Sequence, residues 1–336
     1  MLKKINRMFK SLEAGPDIYL PSKFWRQLNE QNIAQLEKDG MDNIKRTLAQ
    51  NYFTWVVGCR SPLFRHMASL MTFSDWVAIL RNLPLFSREA GLGLRRFYEL
   101  QIFTRMVWVV AKRYDKLKVL KTLQEPAYGN PFNIKFDDRL ISQDLANSLL
   151  EMYSVFDFSP PPIDSRFTVC ELGAGYGRNA YVFLSIFKNC KYIIVDIPPA
   201  LYVSQEYISE IFKDKKIMRF SSFSNLEEVA DELNSADIVF LLPHQADLLK
   251  EKSIDYFINI SSFHEMTKPQ VSKYFELIDR ITRGYFYTNQ WNSFKNIRDE
   301  ITMAKDDYPY DKQWNRVYSR TPLTHPLFFE TLFKVN

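Results

Sequence analysis

The chain has 336 residues, 46% of them hydrophobic, 25% charged and 15% aromatic, a composition that can bury a substantial core and excludes a disordered polypeptide. The formal net charge of +5 is mild and the cationic residues are dispersed rather than gathered into a stripe, which argues against nucleic acid as a partner. Cys59, Cys170 and Cys190 are odd in number, widely spaced and without a CxxC pair, so neither a disulfide framework nor a zinc site is predicted and a cytoplasmic location fits.

At the amino end, Leu2, Ile5, Met8, Phe9 and Leu12 share one helical face beside Lys3, Lys4, Arg7 and Lys10. Such a helix suits weak contact with an anionic membrane surface or, the favoured reading, packing on the rest of the protein. No apolar run approaches the length of a membrane span, and none follows the basic residues as a signal peptide would.

Residues 21–123 read as helical. Ser22 can cap a helix after Pro21, with Phe24, Trp25, Leu28, Ile33 and Leu36 as its apolar face and Gly40 as its stop. Further helical segments follow at 43–57, 63–70, 74–80 and 95–123. The apolar patch 103–111 is short and interrupted by Arg105, which predicts a buried helix rather than a span. Residues 1–130 are expected to form a helical cap or lid domain, and 131–336 an α/β domain. Pro126, Gly129 and Pro131 punctuate the break, after which Ser142 can cap a helix carrying Leu145, Leu149, Met152 and Tyr153.

Residues 167–196, FTVCELGAGYGRNAYVFLSIFKNCKYIIVD, read as strand, glycine turn, helix and strand. A dinucleotide site wants G-x-G-x-x-G; here the third glycine, Gly177, comes one residue early and Arg178 stands in its place. The run Glu171-x-Gly173-x-Gly175-x-Gly177 resembles instead motif I of class I S-adenosylmethionine-dependent methyltransferases. That resemblance implies that Glu171, Gly173, Ala174, Gly175, Tyr176, Gly177 and Arg178 surround the cofactor. The acid ending the second strand, Asp196, matches the family's ribose-binding acid, and Ile197 adjoins it. A carboxylate has two oxygens with which to accept from neighbouring hydroxyls.

An amphipathic helix follows at 200–212, a short strand at 217–220, a helix at 226–233 and a third main strand at 238–242. The turn after it, Pro243-His244-Gln245, stands where related methyltransferases read the adenine edge; Gln245 is the candidate and His244 the weaker one. Residues 256–260 form the fourth strand and lead into Ser261-Ser262-Phe263-His264-Glu265-Met266. Ligands collect at the carboxyl ends of parallel strands, so Ser261 belongs with the cofactor and His264 is the candidate general base, with Glu265 orienting it or holding the acceptor. The alternative, that His264 caps the helix at 269–281 or only shapes the pocket, stays open. A divalent metal is not predicted, although His264 and Glu265 could supply ligands. A fifth strand at 285–288 delivers Asn289, Gln290, Trp291 and Asn292, amides and an indole suited to hydroxyls and sugar faces. Tyr308, Tyr310, Trp314, His325 and His66 are further pocket candidates, and 314–335 completes the sheet.

A closer resemblance covers the chain from about residue 21 onward. PSKFWRQLNEQNIAQLE, TLAQNYF, EPAYGNP, LISQDLANS, ELGAGYGRNAYVFL, VDIPPALYVSQEY and INISSFHEM, in that order, resemble the sugar O-methyltransferase family of bacterial glycan and glycosylated-metabolite biosynthesis. Tyr128 and Gln143, which stand in two of these segments, join Asn289, Gln290 and Trp291 as candidate acceptor-binding residues. The resemblance implies a Rossmann-like class I methyltransferase fold, a mainly parallel sheet flanked by helices, with an α-helical N-terminal domain. It also implies methyl transfer from S-adenosylmethionine to a sugar, nucleotide-sugar or glycan hydroxyl, with S-adenosylhomocysteine as product. A non-sugar small-molecule acceptor and a non-catalytic cofactor-binding interaction subunit are the alternatives. Whether the chain assembles as a homo-oligomer is open.

Overall fold

The computed structural model describes residues 1–47, 57–84, 92–158 and 165–336. Twelve strands stand among them: β1 (Lys135–Phe136), β2 (Arg139–Leu140), β3 (Phe167–Leu172), β4 (Cys190–Val195), β5 (Ile217–Met218), β6 (Ile238–Leu241), β7 (Ile254–Ile260), β8 (Thr282–Trp291), β9 (Ser293–Asn296), β10 (Ile301–Ala304), β11 (Asn315–Arg320) and β12 (Phe328–Lys334). β1 with β2, and β9 with β10, form small antiparallel hairpins that the sequence reading missed.

The other eight strands form one sheet in the order β11-β12-β8-β7-β3-β4-β6-β5. Pairing is parallel from β8 through β7, β3, β4 and β6 to β5, whereas β12 runs antiparallel to both its neighbours, β8 and β11. The chain winds one way from β3 to β4 and the other way from β3 to β7, so the carboxyl end of β3 is a switch point at which a crevice must open. β4 and β6 are buried at every residue and β3 at all but one, as parallel strands covered on both faces require.

Of the helices, α1 (Leu2–Glu13) buries Ile5, Met8 and Leu12 in the protein core, so its apolar stripe is used for internal packing. Lys4 of the same helix pairs with Glu206 at 3.3 Å. α2 (Lys23–Asp39) begins at Ser22, whose hydroxyl accepts from the Trp25 amide, and ends at Gly40. α3 (Ile44–Thr47) is the described part of the helix expected over 43–57, the remainder of which, with most of TLAQNYF, lies outside the described residues. α4 (Pro62–Ser69) and α5 (Phe73–Arg81) follow as predicted.

α6 spans Leu94–Tyr114, shorter than the 95–123 expected. Asp115 stops it by accepting from the amides of Val119 at 3.1 Å and Leu120 at 2.8 Å, which starts a new turn. Arg105 is buried in this helix because backbone carbonyls of Gln101, Asn82 and Lys135 receive its guanidinium at 2.9, 2.6 and 2.8 Å. α7 (Gln143–Val155) and α8 (Arg178–Ile186) lie together against the sheet; α9 (Ala200–Ile211), α10 (Ala230–Ser235), α11 (Pro243–Ala246) and α12 (Lys268–Ile281) supply the remaining crossovers. Residues of the amino-terminal helices and of the sheet share one continuous hydrophobic cluster. Among the described residues, no helix is long and apolar enough to cross a membrane.

Candidate active site

The turn after β3 is shaped by backbone conformation. Gly173, Gly175 and Gly177 have φ of 75°, 59° and 91°, a region in which side-chain-bearing residues are strained. At Gly173 a Cβ would also fall 2.5 Å from Ser262 Oγ, so glycine is what lets the turn after β7 lie against the turn after β3. The Gly175 amide donates to Asp196 Oδ2 at 2.9 Å and the Ile197 amide to Oδ1 at 2.8 Å. Asp196 is only 8% exposed, and burial pushes its carboxyl up to about 7 although the two amides pull the other way. Gly173, Gly175, Asp196 and Ile197 all line one cavity of about 220 Å³.

The rest of the motif serves the frame. Glu171 does not reach the cavity; its carboxylate accepts from Asn179 Nδ2 at 2.9 Å and Tyr192 Oη at 2.7 Å, tying β3 to α8 and β4. Ala174 is buried, and Tyr176 donates to Asp144 Oδ2 at 2.5 Å. Arg178 forks onto Glu151 at 2.5 and 3.0 Å and reaches Ser148 Oγ at 2.7 Å, fastening α8 to α7. Gly177 makes room for Ile208 of α9, whose Cγ1 a Cβ would approach to 2.8 Å.

The opposite wall comes from the ends of β7 and β8. Ser261, with φ of 51°, turns the chain so that Ser262, His264 and Glu265 face the cavity. His264 is 2% exposed, with its ring edge-on to Phe294 at 4.4 Å between centroids. Its Nδ1 is 3.1 Å from Gln290 Oε1 and its Nε2 is 3.5 Å from Glu265 Oε1. The other Glu265 oxygen accepts from Trp25 Nε1 at 3.0 Å.

Trp25 belongs to a third wall that the sequence reading did not assign to the site. Tyr19, Leu20, Pro21, Ser22, Phe24 and Trp25 line the same cavity. Ser22 Oγ donates to the Glu265 carbonyl at 2.9 Å, Gln270 Nε2 to the Leu20 carbonyl at 2.7 Å, and the Lys23 and Phe24 amides to Asp299 at 2.9 and 3.0 Å. The helical first third of the chain therefore supplies part of the pocket.

Several candidates lie elsewhere. Gln245 is wholly buried and faces away from the cavity: its Oε1 accepts from the Leu242 amide at 3.0 Å and its Nε2 donates to the Ser221 carbonyl at 2.8 Å, leaving neither group for an adenine edge. Pro243 of the same turn lines the cavity instead, and His244 packs against Gly15. Because β8 runs on through Trp291, residues expected together beyond the strand's end alternate between the two faces of the sheet. Gln290 points to His264, whereas Asn289 opens into a different pocket beside Asn147, Arg320 and His325. Trp291, at the strand end, does line the central cavity and packs on Phe328 at 4.5 Å. Gln143 is buried near Thr104, and Tyr128 stacks on Tyr207 at 6.0 Å; neither lines the cavity. Tyr308, Tyr310 and Trp314 pack among core aromatics, and His66 contacts the Leu323 carbonyl at 2.8 Å.

One residue the sequence reading passed over is Asn259, a fully buried amide in the otherwise apolar end of β7. A lone amide in such a strand is itself the signal, since it must find partners. Among the described residues, no group of three or more His, Cys, Asp or Glu side chains is arranged to hold a metal ion.

No family model matches the chain. A stretch of 88 residues, 26% of the chain, is 31% identical to acetylserotonin O-methyltransferase of Bos taurus, and the match spans 23% of that enzyme's length. Among solved structures, a SAM-dependent methyltransferase from Aquifex aeolicus is 14% identical, with a TM-score of 0.35 over 55% of this chain and 89% of that one. Geranyl diphosphate C-methyltransferase from Streptomyces coelicolor A3(2), solved with Mg2+, geranyl-S-thiolodiphosphate and S-adenosyl-L-homocysteine, is 9% identical, with a TM-score of 0.38 over 58% of this chain and 78% of that one. The chain's own topology is decisive: a parallel sheet wound both ways from β3, with antiparallel β12 inserted between β8 and β11, is a Rossmann-like class I methyltransferase fold with helices added at its amino end.

Proposed function

We propose that this protein is an S-adenosylmethionine-dependent O-methyltransferase whose acceptor is a hydroxyl of a sugar or sugar-containing metabolite. The observation that carries this reading is that one cavity is faced by the glycine turn and Asp196 on one side and by His264 and Glu265 on the other. Asp196 supports the cofactor: it is a buried carboxylate whose two hydrogen-bond donors are amides, so its remaining lone pairs suit the two ribose hydroxyls. The positive-φ glycines bring backbone, with no side chain in the way, to the space the methionine part would fill. The bound cofactor supplies an electrophilic methyl on a sulfonium, which leaves as a neutral thioether when the methyl passes to oxygen.

The protein's residues align the acceptor oxygen and remove its proton. His264 Nε2 is the base, and Glu265 beside it stabilises the imidazolium that results. Trp25, Phe24, Trp291 and Phe294 provide flat apolar surfaces on which a sugar ring can stack. The same aromatic walls favour a second reading, a planar non-sugar hydroxyl compound as acceptor.

Two experiments separate premise from substrate. Titration calorimetry with S-adenosylmethionine and S-adenosylhomocysteine should show saturable binding of both, and a folded sample that binds neither ends the proposal. Incubation with methyl-labelled cofactor and a panel of sugar nucleotides, free sugars and phenolic or indolic alcohols should label a sugar. Labelling of only the non-sugar alcohols would favour the second reading, and no transfer to any member a non-catalytic cofactor-binding role.

A further inference from the structure

Four groups in a row fix the protonation geometry of His264. The chain starts at the Leu172 carbonyl, which can only accept and receives Asn259 Nδ2 at 3.0 Å. That contact determines which end of the Asn259 amide carries the hydrogens; the same nitrogen reaches Ser262 Oγ at 2.6 Å. Asn259 Oδ1 must therefore accept, and it receives Gln290 Nε2 at 2.6 Å. A second backbone carbonyl, that of Asn259, lies 3.2 Å from the same Gln290 nitrogen and confirms its orientation. The Gln290 oxygen is left to face His264 Nδ1 at 3.1 Å, and two acceptors cannot share that contact. Nδ1 carries the hydrogen, and Nε2 keeps its lone pair beside Glu265, whose carboxylate at 3.5 Å lies outside hydrogen-bond distance.

We infer that Gln290 and Asn259 are positioning residues that hold His264 as the Nδ1–H tautomer, making Nε2 the proton acceptor for the substrate hydroxyl. Nε2 and Glu265 Oε1, 3.5 Å apart, are then both acceptors with no hydrogen between them, and an incoming O–H is the donor that this pair lacks. The relay begins at the last residue of β3, directly before the glycine turn, so one backbone carbonyl links the cofactor side to the base. Among the described residues no carboxylate takes part on the Nδ1 side: a neutral amide orients the ring and leaves the negative charge of Glu265 on the side where the proton arrives.

The kinetic consequence of this assignment rests on the methyl-transfer reading, but the tautomer does not. The full chain has four histidines, so long-range 15N–1H imidazole correlations can be assigned by the signal lost in His264→Gln. The wild-type protein without ligand should show His264 as Nδ1–H at mildly alkaline pH, and an Nε2–H signal would overturn the inference without any variant. Gln290→Met, which removes the acceptor, should shift the signal toward Nε2–H, whereas Gln290→Glu, which keeps an acceptor, should retain Nδ1–H; equal behaviour of the two would reduce Gln290 to a packing role. With the methyl acceptor in hand, Gln290→Met should lower kcat by about 10²- to 10⁴-fold, the range set by a misplaced or lost base, while the cofactor KM stays within a few-fold. An Nδ1–H signal in a protein that binds no methyl donor would leave the relay standing and remove the proposed function.

Discussion

The two halves of the cavity are built by different means. The edge proposed for the cofactor, at the ends of β3 and β4, is made of backbone: three glycines at positive φ, two amides that fix Asp196, and a turn whose parts lie within about 20 residues of one another, a spacing shared by nucleotide-binding βαβ units generally. The edge proposed for the base, at the ends of β7 and β8, is made of side chains: His264 is held by Gln290, Gln290 by Asn259, and Glu265 by Trp25, 240 residues away in sequence. Backbone geometry tolerates substitution only where the new residue can adopt it, and a side-chain relay fails at any link. Changes at one edge should therefore damage binding and changes at the other should damage turnover.

The sharpest way to break that division is His264→Ala. Turnover should fall by about 10²- to 10⁴-fold while S-adenosylhomocysteine affinity, read by calorimetry, stays within a few-fold. A comparable loss in both would show that the two edges are not separate.

Asp196→Asn comes next and should act on the other side alone, weakening cofactor binding by about 1.5–3 kcal/mol for a lost charge-assisted bond. The pH dependence of that binding follows from burial, which raises the Asp196 carboxyl to about 7. Ribose hydroxyls need the ionised acceptor, so affinity in the wild type should fall as pH drops below about 7, approaching tenfold per unit, and level off above it. The same shift acts on folding with a fixed sign: the native state holds this proton more tightly than the unfolded chain, so Asp196's contribution to stability declines as pH rises from about 4 to about 7 and a bound cofactor offsets it. Calorimetry across that range should show the slope in the wild type and a flat profile in Asp196→Asn.

Gly173→Ala should cost about 1–3 kcal/mol in strain, because φ is positive and the new methyl meets Ser262. Thermal unfolding would show the strain as a lower Tm without ligand, and a smaller shift on adding S-adenosylhomocysteine would show that the distorted turn also binds it less tightly. Ser262 is also a partner of Asn259, so this is the one substitution expected to disturb both edges. The smallest effect should come from Trp25→Phe, which keeps the aromatic wall and removes one hydrogen bond to Glu265, worth about 0.5–1.5 kcal/mol. It should appear as a few-fold rise in KM.

What the sequence made legible follows the same line. The main strands along the chain, the glycine turn and the acid after the second strand were readable because periodicity and glycine spacing are local, and the strand-end rule then brought His264 to the same crevice. Asn289 and Gln290 looked alike as neighbours delivered by the end of a strand. Once β8 is seen to continue to Trp291, alternation sends their side chains to opposite faces, and only Gln290 meets His264. Gln245 had the right chemistry for an adenine edge, but its amide closes the start of α11, a use that depends on the Ser221 carbonyl from a separate segment. Trp25 read as one apolar residue of an amphipathic helix; its indole N–H partner is 240 residues away, beyond any periodicity.

That distance also orders events in time. Ribosomes release the amino end first, and domains generally fold as units in that direction. α2, with Trp25 in its first turn, leaves the ribosome long before Glu265 and Asp299, the groups that hold it in place. Until those residues emerge, the third wall has nothing to close against and its indole stays in water. Long-range closures of this kind are slow steps of folding, so the pocket gains this wall only after Glu265 and Asp299 have emerged.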